Sequence, residues 1–66
     1  MKEIIFTKHA IKRARQRGLL NYVDGIRFWN TACFVDSRKA RIGRVYYAYR
    51  ETRTQVIITT IYQDLS

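Results

Sequence analysis

The sequence has no proline, a single cysteine and only three glycines among its 66 residues. Proline and glycine mark linkers and turns, so their scarcity argues against long linkers and predicts one small domain over residues 1–66. A single cysteine cannot form an internal disulfide, so we expect a reducing, cytoplasmic location. No apolar run approaches the roughly 20 residues of a membrane span, and we expect neither a span nor a secretory signal.

Residues that bind metals are also scarce. The chain has one histidine, one cysteine and five scattered acidic residues. A zinc site needs several cysteine or histidine ligands, and no pair of carboxylates close in sequence indicates a magnesium site. We therefore expect no metal and no other cofactor, so any chemistry would be metal-independent.

Basic residues dominate the charge. Thirteen lysines and arginines against five acids give a net charge of +8, and nine of the thirteen are arginines, which suit bidentate contacts with phosphate. Such a charge favours a polyanionic partner, RNA before DNA. Charge alone leaves open a role in solubility, an acidic protein partner or an anionic membrane surface, although a membrane is not the partner we expect.

The segment TKHAIKRARQRG, residues 7–18, predicts a helix over about 8–17. Thr7 suits the N-cap, and Gly18 suits the position just past the C-terminus. The apolar stripe is narrow, and no acid balances the basic residues within the helix, whereas a merely solvated helix usually includes glutamates. The imbalance predicts a phosphate-binding face. Its candidate residues are Lys8, His9, Lys12, Arg13, Gln16 and Arg17.

The remaining pattern predicts a second helix and a sheet. The helix spans 21–30, is capped by Asn21, and has an apolar face of Tyr22, Ile26 and Trp29, with Trp29 in the core. The predicted strands are residues 3–6, 32–36, 41–50 and 55–62. The order β-α-α-β-β-β predicts an α+β fold: a short N-terminal strand and two helices packed on one face of a mostly antiparallel sheet, in which strand 55–62 is central.

Alternation along the last two strands predicts which side chains share a face. One face of strand 55–62 would carry Val56, Ile58, Thr60 and Tyr62, and the other Ile57, Thr59 and Ile61. Strand 41–50 alternates Val45, Tyr47 and Tyr49 with Arg44, Tyr46 and Ala48. One set of tyrosines must be buried, while the other could stack unpaired bases. We take Tyr62, then Tyr46, as site tyrosines, and Arg44 and Thr60 as nucleic-acid contacts.

The helix signature also resembles a known family. Residues 8–19 match K-H-A-x-x-R-x-x-x-R-G-L, which is similar to the opening H-A-x-x-R-x-x-x-R-G-I of a family of uncharacterised short bacterial and phage proteins. The ending ITTIY, residues 58–62, is similar to that family's I-x-T-V-Y. The family resembles the nuclease-toxin superfold of RelE, ParE and barnase-like or colicin-type ribonucleases. The chain differs in having NYVDGIRFWN instead of an acidic second helix, and a glycine-free ETRT turn.

The resemblance implies a RelE/ParE-like fold and a small metal-independent ribonuclease of toxin or phage-effector type. His9 would be the general acid or base, because an unperturbed imidazole titrates near neutrality. Arg13 and Arg17 would bind the phosphate, and Tyr62 with Thr60 would form the opposing wall.

Several alternatives remain open at this point. His9 could be structural, packed or hydrogen-bonded to the last strand. The protein could be a non-catalytic nucleic-acid-binding or partner-inhibiting module, or a ParE-type toxin directed at DNA gyrase. A neutralising antitoxin partner and a homodimer formed through an edge strand are further expectations.

Overall fold

Two helices pack on one face of a five-stranded sheet in the computed structural model, which describes residues 2–64. The elements in chain order are β1 (Glu3–Phe6), α1 (Lys8–Gln16), a 3₁₀ turn (Leu20–Tyr22), α2 (Gly25–Thr31), β2 (Cys33–Asp36), β3 (Lys39–Ile42), β4 (Val45–Glu51) and β5 (Gln55–Gln63). The strand order is β1-β5-β4-β3-β2. Only the β1–β5 pair is parallel. The predicted α+β class is confirmed, and β5 has strand neighbours on both sides.

Helix α1 begins and ends where the sequence predicts. The hydroxyl of Thr7 accepts a hydrogen bond from the N–H of Ala10 at 3.1 Å. Gly18 follows the helix with a φ of 70°, which lets the N–H of Leu19 donate to the carbonyl of Ala14 at 2.7 Å. This closing bond satisfies a terminal carbonyl and requires a left-handed residue, a conformation that costs glycine little.

The predicted single strand over 41–50 is wrong, because the chain turns back within it. Ile42 faces Val45 in the β3–β4 register, so Gly43 and Arg44 form a two-residue hairpin turn. Gly43 has a φ of 61°, and no residue other than glycine has a positive φ in the described chain. A glycine at the first position of such a turn matches the twist of the flanking strands. The sheet therefore gains a strand that the sequence pattern did not reveal.

The predicted start of the second helix at Asn21 is also wrong. Helix α2 begins at Gly25, and Asp24 is its N-cap: the Asp24 Oδ1 accepts hydrogen bonds from the N–H groups of Ile26 and Arg27 at 3.0 and 3.1 Å. A carboxylate at this position satisfies N–H groups that the helix itself leaves unpaired. The residues before Asp24 form only a 3₁₀ turn.

The core face of α2 is formed by Phe28 and not by the predicted residues. Phe28 is fully buried, and its ring packs edge to face on Tyr47 and Phe34, with centroid separations of 4.8 and 5.9 Å. Ile26 is 71% exposed and Trp29 is 36% exposed. The prediction of Trp29 as a core residue is wrong, because Phe28 takes the buried position and Trp29, about 100° further around the helix, lies at the edge of the contact.

Strand β5 contains an irregularity opposite β4. Ala48 pairs with Thr60, whereas the next residue, Tyr49, pairs with Ile58, so Thr59 is left without a partner. The Thr59 hydroxyl donates to the carbonyl of Ala48 at 3.1 Å. This is a β-bulge, in which the extra residue interrupts the alternation of side chains.

The bulge exchanges the two faces of β5 after Ile58. Ile58 and Ile61 are both fully buried on the helix side, although they are three residues apart. Thr60 and Tyr62 therefore lie on the opposite side of the sheet. The prediction that Ile58, Thr60 and Tyr62 share one face is wrong for this reason.

One cluster of buried apolar side chains joins the helices to the sheet. Its members are Ala10, Ala14, Leu19, Phe28, Ala40, Val45, Tyr47, Tyr49, Val56, Ile58 and Ile61. In β4 the buried residues are those of the alternation Val45, Tyr47 and Tyr49, as predicted. Within residues 2–64, no helix has the length and apolar character needed to cross a bilayer.

Stability is expected to fall at high pH because of Tyr47. Its hydroxyl donates to the carbonyl of Tyr22 at 2.9 Å, and burial raises the pKa of Tyr47 to about 12, against an opposing effect of Arg27. The unfolded chain releases this proton near pH 10, so the free energy of unfolding declines as pH rises from about 10 to about 12. Urea unfolding at about pH 9 and 11 should show the wild type losing about 1 kcal/mol more than Tyr47→Phe. An equal decline in both proteins would contradict this assignment.

Candidate functional site

Helix α1 packs on the helix side of the second half of β5, beyond the point where β1 stops pairing with that strand. Strand β1 pairs with β5 only as far as Ile58, whose carbonyl accepts the N–H of Thr7 at 3.1 Å. At the other end of α1, the guanidinium of Arg17 donates to the carbonyl of Ile61 at 2.7 Å. The helix is thus attached to the edge of β5 at both of its ends.

The polar side of α1 faces solvent. Ala10 and Ala14 are its fully buried residues and allow a close approach to the sheet. The five predicted nucleic-acid contacts of this segment and the predicted catalytic residue His9 are all exposed, and we call these six residues the α1 basic surface. They are Lys8, His9, Lys12, Arg13, Gln16 and Arg17.

The cations of the α1 basic surface have no acidic partner within the described residues. The salt bridge among the described residues joins Lys2 to Glu51 at 2.6 Å, and neither of these residues belongs to α1. Arg13 donates only to the side-chain oxygen of the neutral Gln16, at 3.3 Å. Like charges one turn apart destabilise a helix by a few tenths of a kcal/mol, and this helix carries them without compensation. The surface therefore keeps its full positive charge for a ligand.

His9 is exposed on the first turn of α1, one turn before Arg13. In the described part of the chain its side chain makes no hydrogen bond or ion pair. A structural role in which His9 packs on the last strand does not fit this exposure. The imidazole is instead open to a ligand that lies along α1.

Tyr62 and Thr60 do not lie opposite the α1 basic surface. The bulge at Thr59 turns both onto the side of the sheet away from the helices. Tyr62 pairs there with Tyr46, and the two rings stack with centroids 5.6 Å apart and planes at 14°. Tyr62 and Thr60 therefore do not form the predicted wall opposite α1.

We call the side of the sheet away from the helices the open sheet face. Lys39 pairs with Ala48, and Arg41 pairs with Tyr46, so both basic residues lie on this face. The Lys39 ammonium is 5.9 Å from the centroid of the Tyr46 ring. On β3, β4 and β5 this face comprises Lys39, Arg41, Tyr46, Ala48, Arg50, Gln55, Ile57, Thr60 and Tyr62.

Arg44, the remaining predicted contact, is exposed in the turn before β4, two residues from Tyr46. Lys39, Arg41 and Arg50 were not identified from the sequence. The signal for Lys39 and Arg41 was their spacing of two residues on β3, and for Arg50 its alternation with Tyr46 and Ala48 on β4. Both signals require the strand bounds that the hairpin at residues 43–44 sets.

Two open depressions lie away from α1. One, of about 550 Å³, is lined by Lys2, Glu3, Ile4, Asp24, Gly25 and Ile26. The other, of about 580 Å³, is lined by Ser37, Arg38, Arg50 and Glu51. Among residues 2–64, no three histidine, cysteine or acidic side chains come together as a metal site.

No protein-family model, curated protein or solved structure matches this chain. A functional assignment therefore depends on the chain's own residues and their placement.

Proposed function

We propose that this protein binds RNA through the α1 basic surface. The observation that carries the proposal is the uncompensated charge of α1. Residues 8–17 contain five lysines and arginines and no acid, and the structure exposes them without acidic partners in the described chain. A nucleic-acid backbone offers a row of phosphates to such a surface, and binding is strengthened by counterion release.

The attachment of α1 to β5 supports this role. Bonds at Thr7 and Arg17 hold both ends of the helix against the sheet edge. The cationic side chains are therefore presented from a fixed backbone, which lowers the ordering cost of binding. Arg17 keeps further N–H donors for phosphate, since a guanidinium has five and one is used by Ile61.

We further propose that the architecture is RelE/ParE-like and that the protein acts on RNA as a toxin or phage effector in the cytoplasm. The proposal is supported by two helices on one face of a mostly antiparallel sheet, and by the helix signature at residues 8–19. A neutralising protein partner would be consistent with that class.

Removing charge from α1 should weaken RNA binding more than removing it elsewhere. The comparison is Lys12→Gln/Arg13→Gln against Arg38→Gln/Arg53→Gln, which removes the same charge from exposed turns outside α1. Fluorescence anisotropy with a short labelled single-stranded RNA in EDTA, between about 50 and 200 mM salt, measures both affinity and salt slope. We expect the α1 variant to bind roughly tenfold more weakly and its slope to shrink by about 1.4. Equal weakening by both double variants would contradict a site on α1.

Metal-independent RNA cleavage is the second candidate function. It is favoured by His9, whose side chain is exposed and makes no hydrogen bond or ion pair within the described residues. His9 lies in line with Arg13 and Arg17 on the α1 basic surface. As general base, the imidazole would take the proton of a 2′-hydroxyl, whose oxygen attacks the adjacent phosphorus. The 5′-oxygen would leave with a proton from water, giving a 2′,3′-cyclic phosphate and a 5′-hydroxyl end, while the arginines stabilise the charge on the phosphate. If the protein binds RNA but does not cleave it, the alternative function holds, in which the protein is a non-catalytic nucleic-acid-binding module.

A further inference from the structure

We propose that the open sheet face is a second RNA-contacting surface, on which an unpaired base stacks against the outer face of Tyr62, the inner face of which stacks on Tyr46. This inference rests on RNA binding by the α1 basic surface and specifies the ligand: single-stranded RNA rather than a duplex. Bases inside a duplex are stacked on one another, so an aromatic platform selects RNA whose bases are free.

The two tyrosines have the geometry of a stacking platform. They are cross-strand neighbours on β4 and β5, only half-buried, with nearly parallel rings 5.6 Å apart. Lys39 lies over the Tyr46 side of the stack. On the side of Tyr62 away from Tyr46, no strand pairs with β5, because the pairing of β1 with β5 ends at Ile58. No neighbouring strand therefore covers the outer side of the Tyr62 ring.

Charge on this face favours a polyanion. The charged residues that β3, β4 and β5 place on it are Lys39, Arg41 and Arg50. Its acids lie on the two edge strands: Glu3 on β1 pairs with Gln55, and Asp36 on β2 pairs with Lys39. Between the tyrosines and Arg50 the small side chains of Ala48 and Thr60 face each other, which keeps the surface shallow. Cations that follow the phosphates beside aromatic rings that stack the bases are the combination that single-strand-binding proteins use.

The two surfaces meet at one edge of the sheet. Arg17 of the α1 basic surface bonds the carbonyl of Ile61, the residue that precedes Tyr62. An RNA strand bound along α1 therefore needs only to pass around this edge of β5 for its bases to reach Tyr62.

The test compares single-stranded RNA with a duplex of the same sequence, by anisotropy at fixed salt in EDTA. Tyr46→Leu/Tyr62→Leu removes the aromatic rings but keeps an apolar surface, and Tyr46→Phe/Tyr62→Phe keeps the rings. We expect the leucine variant to bind single-stranded RNA about ten- to a hundredfold more weakly, with duplex binding unchanged, and the phenylalanine variant to bind both like the wild type. Circular dichroism verifies that both variants are folded.

Each failure has a distinct signature. If the wild type does not bind RNA at all, the proposed function fails and the inference fails with it. If the folded leucine variant binds single-stranded RNA as well as the wild type, the inference is overturned while binding by α1 stands. If the phenylalanine variant is as weak as the leucine variant, the tyrosines act through their hydroxyls and the stacking platform is likewise overturned.

Discussion

Replacing Phe28 with alanine is expected to unfold most of the protein at room temperature. Phe28 is fully buried and joins α2 to the sheet through its contacts with Tyr47 and Phe34. Removing a buried phenylalanine costs about 3–5 kcal/mol, through lost burial and the cavity left behind. A domain of this size rarely has more than about 3–5 kcal/mol of stability to lose. Urea unfolding followed by circular dichroism should therefore show little or no folded baseline.

The matched control for this prediction is Trp29→Ala on the same helix. Trp29 is larger than Phe28, but it is 36% exposed. We expect a loss of about 1 kcal/mol and a clear folded baseline. If Trp29→Ala were the more destabilising of the two, the orientation of α2 described above would be wrong.

Replacing His9 with alanine is expected to reduce metal-independent RNA cleavage by about 10²- to 10⁴-fold, the usual contribution of a general base. The side chain is exposed and unbonded in the described chain, so the variant should fold like the wild type. Affinity for RNA should change little, because the cations of α1 remain. The measurement is single-turnover cleavage of end-labelled RNA in EDTA, with products separated on a denaturing gel.

A contaminating nuclease is controlled by purifying both proteins in parallel, since a contaminant would cut in both preparations. Equal cleavage by the wild type and His9→Ala would remove His9 from the mechanism. Binding of RNA without cleavage by the wild type would assign the protein to the non-catalytic class, with the α1 basic surface as a docking site.

Local signals made α1 predictable from the sequence. Thr7 and Gly18 act on bonds within their own turns: the Thr7 hydroxyl caps the first turn, and Gly18 adopts the positive φ that ends the helix. The exposed charge of α1 was predictable for the same reason, because helical spacing alone separates the alanines from the cations. The β-branched run of β5 likewise predicted a strand with neighbours on both sides.

Non-local packing determined the features that the sequence did not reveal. The bulge at Thr59 is a shift in the register between β4 and β5, two strands that pair along their whole length. This shift places Tyr62 on the side of the sheet away from the helices. The choice of Phe28 over Trp29 as the buried residue depends on the contacts of α2 with Phe34 and Tyr47, which lie on other elements of the chain. The open sheet face could not be assembled from sequence, because its residues come from different strands: the hairpin at Gly43 sets the register of β3 against β4, and the bulge at Thr59 sets which residues of β5 join them.

The most direct test of the central claim is a titration of the ¹⁵N-labelled protein with a short single-stranded RNA, followed by amide chemical shifts. If the α1 basic surface binds RNA, the amides of residues 8–17 should shift progressively with RNA, and the shifts should diminish as salt is raised. Shifts confined to α2 and β2, with α1 unchanged at saturation, would contradict the account and place the RNA site on the other edge of the sheet.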